Sequence, residues 1–124
     1  MKILWTHTFN PNNPFAGIFM HRHIESLKKE GIIIEPIYLG RIRNIYKLVK
    51  AINLINSKLN DFDLIHAQYG STCGLASTFN NKRKILSLKG SDWYRLKTNN
   101  FKANLHSFLS NKFTRFSLAN YDSI

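Results

Sequence analysis

The stretch Lys89-Gly90-Ser91-Asp92 follows a short apolar run and combines residue types that can bind a polar ligand. The compact ammonium group of Lys89 suits an anion such as phosphate. The carboxylate of Asp92 can accept hydrogen bonds from ligand hydroxyls, but a carboxylate at this spacing can equally cap the turn that follows. The stretch therefore predicts either a ligand site or a plain exit from a strand.

A second polar group follows the apolar pair Leu64-Ile65 and contains His66, Gln68 and Tyr69. Gln68 and Tyr69 can both form hydrogen bonds with a hydroxyl-rich ligand. A lone histidine in a strand is more often a core residue with one hydrogen bond than a ligand-binding residue, so both roles stay open for His66.

Gly17 ends a loop rich in asparagine and proline, residues 10–17, immediately before a helical pattern. A glycine at this point lets backbone N–H groups approach a ligand at the positive end of a helix, or it simply permits a tight turn. The loop lacks the Gly-x-Gly-x-x-Gly spacing, which disfavours a nicotinamide-dependent dehydrogenase.

Motifs for metal binding are missing from the sequence. There is no HExxH or CxxC motif, and the single cysteine, Cys73, excludes an internal disulfide and fits a reducing compartment. His21 and His23 are two residues apart in a predicted helix, so they point in different directions. We therefore expect no metal and no bound cofactor, and the catalytic residues stay unassigned.

Apolar runs of strand length alternate with helical patterns along the chain, and this alternation predicts the elements that position the polar groups. The predicted strands span 3–9, 32–39, 64–67 and 85–88, the predicted helices span 18–27, 42–59, 74–79 and 101–116, and a fifth strand begins within 120–124. Pro36 suits an edge strand. The pattern predicts an α/β fold with a Rossmann-like parallel sheet flanked by helices.

The carboxyl ends of parallel strands meet at one edge of such a sheet, because the crossovers are right-handed. Ligands of these folds bind at that edge, where the strand order reverses. We therefore expect the loops after the first, third and fourth strands to form one rim. That rim would bring Gly17, Gln68 and Lys89 into one region.

The chain is strongly basic, with 18 lysines and arginines against 7 acids and a formal net charge of +11. Two clusters are free of acids: Arg41, Arg43, Lys47 and Lys50, and then Arg95, Lys97, Lys102, Lys112 and Arg115. Such clusters are solvated faces or contacts for an anionic partner. A nucleic-acid partner is disfavoured, because no helix-turn-helix, zinc or RNP-type signature is present.

The predicted helix over 101–116 combines apolar residues with Lys102 and Lys112, so it can lie on an anionic membrane surface. Its apolar side is also expected to pack on the sheet. The first residues turn polar too soon for a signal peptide, and no apolar run has the length of a membrane span. These features predict a cytoplasmic protein, with peripheral contact at the inner face of the membrane as one option.

Three segments, in order, carry a resemblance to a known family: FNPNNPFAGIFMHRHIESLKKEGIIIEPIYLG, DFDLIHAQYGSTCGLAS and KILSLKGSDWYR. They resemble, respectively, the glycine-bearing loop with its first helix, the D-x-I-H-x-H strand, and the H-G-x-D strand end of family 4 glycosyltransferases. The resemblance spans essentially the whole chain. It implies that residues 1–124 are the N-terminal half of a two-domain GT-B fold, incomplete at the C-terminus.

The resemblance also implies roles for single residues. Gly17 would lie near the donor phosphates or the acceptor, and His66 and Gln68 would line the cleft between the domains. The residues implied beside the reacting sugar are Lys89, Gly90 and Asp92. Gln68 and Lys89 stand where the family has histidines.

The implied function is acceptor binding in a retaining glycosyltransferase, which transfers a sugar from a nucleotide-sugar donor to a glycan or lipid-linked acceptor. The donor-binding domain is absent from these 124 residues, so the chain alone is expected to be inactive, and a C-terminal domain on a partner chain could complete it. The alternative is a non-catalytic orphan or degenerate domain that binds a saccharide or a partner protein.

Overall fold

The computed structural model describes residues 1–94 and 97–124, so Arg95 of the second basic cluster lies outside it. The strands are β1 (Lys2–His7), β2 (Ile33–Tyr38), β3 (Leu64–Gln68) and β4 (Arg83–Ser87). The helices are α1 (Ile18–Lys29), α2 (Ile45–Lys58), α3 (Ser71–Thr78), the single turn α4 (Gly90–Trp93) and α5 (Phe101–Leu118). This arrangement confirms the predicted α/β fold with a Rossmann-like parallel sheet.

The four strands are all parallel and lie in the order β2-β1-β3-β4. Trp5 on β1 lies between Pro36 on β2 and His66 on β3. The position predicted for Pro36 is confirmed, because β2 is an edge strand. The strand order reverses between β1 and β3, and the loops after these two strands leave the sheet in opposite directions there.

Alternate residues of β1 face opposite layers of the domain. Ile3 and Trp5 pack with Met20 of α1 on one face. Leu4 packs with Ile55 of α2 on the other face, where α3 also lies. Helices therefore cover both faces, and the edge at the carboxyl ends of the strands is left open.

The turn from β3 into α3 is sharper than the sequence predicts, and α3 begins at Ser71 rather than at Gly74. Tyr69 and Ser71 adopt φ angles of +87° and +47°, in the left-handed region that non-glycine residues rarely occupy. These angles turn the chain directly from the strand into the helix. Residues held in this way cluster at functional sites, where the surrounding structure enforces the conformation.

The segment after β4 also differs from the predicted plain loop. Gly90 opens the single turn α4, with only Leu88 and Lys89 between it and the end of β4 at Ser87. Near the C-terminus, the predicted fifth strand is present only as one parallel bridge between Ile85 and Ser123.

Helix α5 packs on α3 through small polar residues. The expectation that the apolar side of this helix packs on the sheet is therefore wrong for most of its apolar residues. Thr114 and Ser117 are the buried residues of α5. They lie against Gly70 and Gly74, where a side chain would meet Thr114 at 2.5 Å and Ser117 at 3.4 Å. The large apolar residues that stay exposed on α5 are Phe101, Leu105, Leu109 and Phe116. Within residues 1–94 and 97–124, no helix is long and apolar enough to cross a membrane.

Candidate ligand site at the carboxyl ends of the strands

An aromatic cluster lies where the strand order reverses. The Tyr69 ring, which follows β3, is 5.3 Å from the ring of Phe9 and 6.4 Å from the ring of Phe19 between centroids. The Lys89 ammonium lies 3.9 Å from the centre of the Phe19 ring, a cation–π contact. The loops after β1, β3 and β4 therefore meet, as the sequence predicts.

An open pocket of about 510 Å³, named here the strand-end pocket, lies beside this cluster. Its polar lining comes from Gln68, Ser87 and Lys89, and Phe19 with His23 closes the α1 side. An amide, a hydroxyl and an ammonium group against an aromatic ring can bind a ligand that carries both hydroxyls and negative charge.

Behind the strand-end pocket, Trp5 connects two of the predicted residues. Its ring lies 3.7 Å from the ring of His66, and its indole N–H donates a 3.1 Å hydrogen bond to Oε1 of Gln68. The Nε2 atom of His66 is 2.7 Å from Oγ of Ser87. These contacts fix the side chains of His66 and Gln68 from behind.

The electrostatics of His66 keep it neutral. Desolvation by burial, together with the nearby His23, lowers the pKa of His66 from 6.5 to about 4. A neutral imidazole that stacks on Trp5 and is bonded to Ser87 can orient its neighbours. The core role left open for His66 is therefore the one its own contacts favour.

Asp92 joins two of the loops at the rim. Its Oδ2 accepts a 2.8 Å hydrogen bond from the backbone N–H of Lys89. Burial raises the pKa of Asp92, and backbone hydrogen bonds from Lys89 and Gly70 oppose that rise. The carboxylate thus caps α4, as one of the two sequence interpretations proposes, and ties it to the turn after β3.

A second cavity, of about 430 Å³ and named here the hydroxyl pocket, lies on the other side of Tyr69. Tyr69, Asp92, Tyr94 and several hydroxyl residues of α3 and α5 line it. Burial raises the pKa of Tyr69, and the negative charge of Asp92 raises it further by a smaller amount. The phenol is therefore a neutral hydrogen-bonding group.

Cys73 also lines the hydroxyl pocket but is an unreactive thiol. Burial raises its pKa to about 12, so the nucleophilic thiolate does not form near neutral pH.

The two predicted glycines differ in what their surroundings require. Gly17 is buried with φ +71°, and a Cβ atom on it would lie 2.4 Å from Cδ2 of Phe9. Packing and backbone conformation together thus account for this glycine, which favours the tight-turn interpretation. Gly90 has no heavy atom within 4 Å of a built Cβ and no positive φ, so the domain itself does not demand a glycine there.

Sequence reasoning missed four contributors to the site, namely Trp5, Phe19, His23 and Ser87. Trp5 and Ser87 lie beside His66 through strand register, and Phe19 and His23 reach the pocket from α1, which the local sequence does not reveal. Outside Arg95 and Leu96, no group of three or more histidine, cysteine, aspartate or glutamate side chains could hold a metal ion.

Comparison with known proteins supports the fold. The sequence matches no protein-family model and no curated protein. A similar fold occurs in the 2.2 Å crystal structure of a Listeria monocytogenes protein assigned as a UDP-N-acetylglucosamine 2-epimerase, with a TM-score of 0.61 and 15% identity. The similarity covers 98% of this chain and 37% of that protein. At this identity it shows the fold alone, a Rossmann-like α/β domain similar to part of that protein, whose own fold is GT-B-like.

Proposed function

We propose that the chain is the acceptor-side domain of a retaining glycosyltransferase. It would act with a donor-binding domain outside these 124 residues, on a nucleotide-sugar donor and a glycan or lipid-linked acceptor. The observation that carries the proposal is the strand-end pocket, where Gln68, Ser87 and Lys89 meet beside the reversal of strand order. Sugar nucleotides carry both hydroxyls and phosphates, which match an amide, a hydroxyl and an ammonium group.

In this proposal the described side chains bind and orient the reactants. Lys89 stabilises the leaving diphosphate as its negative charge develops, and it does so from a fixed position above Phe19. Gln68 and Tyr69 hold acceptor hydroxyls. No general base is assigned, since His66 is bonded to Ser87 and its pKa of about 4 leaves it a weak base.

The proposal includes no metal and no resident cofactor, because the sugar nucleotide is a substrate. It places the enzyme in the cytoplasm, at the inner face of the membrane when the acceptor is lipid-linked.

A second candidate is epimerisation of a nucleotide sugar. The observation that favours it is the fold similarity to the Listeria protein assigned as a UDP-N-acetylglucosamine 2-epimerase. Both candidates use a sugar nucleotide, and they differ in the fate of the sugar. A transferase moves it to an acceptor, whereas an epimerase returns it still linked to its nucleotide.

The test combines this chain with a donor-binding domain of a family 4 glycosyltransferase and supplies UDP-N-acetylglucosamine with and without saccharide acceptors. Acceptor-dependent release of UDP supports the transferase. A C2 epimer formed without an acceptor supports the second candidate. Saccharide binding with no turnover of UDP-N-acetylglucosamine supports the non-catalytic alternative and contradicts the proposal for this donor.

A matched pair of variants tests the role of the strand-end pocket in the same assay. Lys89→Met removes the ammonium that lies over Phe19 but keeps the aliphatic length of the side chain. Lys82→Met changes a lysine in the turn before β4, outside the strand-end pocket. We expect a loss of roughly tenfold or more in kcat/KM for Lys89→Met only. Equal activities of the two variants would remove Lys89 from the proposed mechanism.

A further inference from the structure

A third cavity on the same edge is lined by part of the first basic cluster, which the proposed function does not use. This cavity, of about 400 Å³ and named here the arginine pocket, is formed by four separate parts of the chain. Its lining residues are Thr8, Arg41, Ile42, Arg43, Ser71, Thr72 and His106. It shares Thr8, Ser71, Thr72 and His106 with the hydroxyl pocket, so the two are adjoining parts of one groove.

The charges in the arginine pocket are uncompensated. No aspartate or glutamate lines it. The Lys58–Glu35 ion pair is the only one within residues 1–94 and 97–124, so neither Arg41 nor Arg43 is paired with a described carboxylate. Asp92 in the adjoining hydroxyl pocket is buried and accepts a hydrogen bond from the backbone N–H of Lys89.

The donor set of the pocket suits a phosphate group. Each guanidinium presents a planar fork of N–H donors, which matches the oxygens of phosphate better than a point charge does. Two such forks lie two residues apart in the loop between β2 and α2, and Thr72 adds a hydroxyl to the same lining. The hydroxyl of Ser71, which also lines the pocket, donates a 3.2 Å hydrogen bond to Oγ of Ser110. The chemistry favours one compact oxyanion over a diffuse anionic surface.

We propose that the arginine pocket binds a phosphate group carried by the acceptor, whose hydroxyl-rich part extends along the hydroxyl pocket. The proposal deepens the proposed function. It rests on that function only in identifying the phosphate compound as the acceptor. The phosphate subsite itself depends only on the arginine pocket. The same chemistry can come from a soluble sugar phosphate or from a lipid-linked phosphate.

The first cluster provides its own matched control. Lys47 and Lys50 belong to the same basic stretch, but they lie on α2 and do not line the pocket. The double variants Arg41→Ala/Arg43→Ala and Lys47→Ala/Lys50→Ala therefore remove the same formal charge, two units each. All four side chains are exposed, so both variants are expected to fold, which thermal unfolding checks.

The experiment titrates the chain with glucose 6-phosphate, glucose and inorganic phosphate and follows backbone amides by NMR. We expect saturable shifts at Arg41, Arg43 and Thr72 with both phosphate compounds but not with glucose. The arginine double variant should weaken phosphate binding by roughly tenfold or more, and the lysine double variant by less than about twofold. Equal weakening by the two variants, or shifts that never saturate, would overturn the phosphate subsite.

Further arms separate the sources of the phosphate and the competing partners. If the protein binds vesicles that contain phosphatidic acid, and mainly the arginine double variant binds them more weakly, the phosphate comes from a lipid. If it binds glucose 6-phosphate but not the vesicles, the source is soluble. An oligonucleotide that binds more tightly than either, and is weakened equally in both variants, overturns the proposal.

The outcomes also separate this inference from the proposed function. Saturable phosphate binding without glycosyl transfer leaves the subsite standing and removes only the transferase. Glycosyl transfer without phosphate binding removes the phosphate subsite and leaves the transferase standing.

Discussion

At the scale of single residues, Gly17 shows how two constraints coincide at one position. Its φ of +71° disfavours any side chain, and the Phe9 ring occupies the space that a Cβ would need. Gly31 has a similar φ of +83° but no heavy atom within 4 Å of a built Cβ. The pair therefore separates backbone strain from steric exclusion.

We expect Gly17→Ala to lower the free energy of unfolding by about 2–4 kcal/mol, because strain and overpacking add. Gly31→Ala should cost about 1 kcal/mol from strain alone. Urea denaturation of the two variants measures the difference. Equal losses would show that the Phe9 ring moves aside without cost.

Two buried histidines predict how stability depends on pH. Burial lowers the pKa of both His7 and His66 to about 4. The nearby His21 adds to this effect at His7, and the nearby His23 adds to it at His66. Since both values lie below the unfolded value of 6.5, the unfolded chain binds more protons between pH 6.5 and 4. The free energy of unfolding should therefore fall as the pH is lowered through this window.

Between pH 7 and pH 5 the expected loss is about 2 kcal/mol for each of these histidines. Chemical denaturation at the two pH values measures it. His66→Gln should remove about half of the difference. A stability that is flat from pH 7 to pH 5 would contradict the buried, neutral state of both rings.

At the scale of elements, Asp92 connects α4 to the turn that precedes α3. Its carboxylate accepts hydrogen bonds from the backbone of Lys89 and of Gly70, which belong to different loops of the rim. The relative positions of Lys89 and Tyr69 therefore depend on one buried side chain.

Asp92→Ala should destabilise the domain by about 2 kcal/mol, because backbone donors lose their acceptor in a buried place. Asp92→Asn keeps one carbonyl oxygen and should lose less. Thermal or urea unfolding ranks the two variants. If alanine is as stable as asparagine, the carboxylate does not hold the loops together.

The elements themselves were largely predictable, whereas their contacts were not. Hydrophobic periodicity is local, so the four strands and the long helices appear in the sequence within a few residues of their true ends. The early start of α3 was missed, because it needs left-handed angles at Tyr69 and Ser71 that residue type does not announce. The packing of α5 was missed because Gly70 and Gly74 admit Thr114 and Ser117, a non-local effect of size.

The candidate site was predictable only as a region. The rule that parallel strands end at one edge brought the loops together, but strand register decides that Trp5 stacks on His66. The predicted cleft roles of Gly90 and Lys89 stay predictions, and the room around Gly90 is consistent with close approach of a ligand.

At the scale of the whole molecule, the main feature is an excess of positive charge. The net charge is +11, and the described residues contain a single ion pair, between Lys58 and Glu35. Such an excess repels itself in the compact state and attracts anionic ligands from a distance.

Raising NaCl from about 20 mM to about 500 mM should therefore increase Tm by a few degrees, because screening weakens the repulsion in the folded state. Differential scanning calorimetry measures it. A lower Tm in high salt would mean that attractive pairs outweigh the excess. Association with any phosphate ligand should weaken over the same range of salt, which separates ligand attraction from stability.

The stack of Trp5 on His66 gives the domain a built-in optical reporter. The indole is buried, lies 3.7 Å from an imidazole and donates its N–H to Gln68, a residue of the strand-end pocket. In a Trp93→Phe variant, Trp5 is the only tryptophan, so its emission reports on this one place. Ligand entry should change the intensity or wavelength of that emission, and so should protonation of His66. Occupancy of the pocket can then be followed without labels and before any substrate is identified.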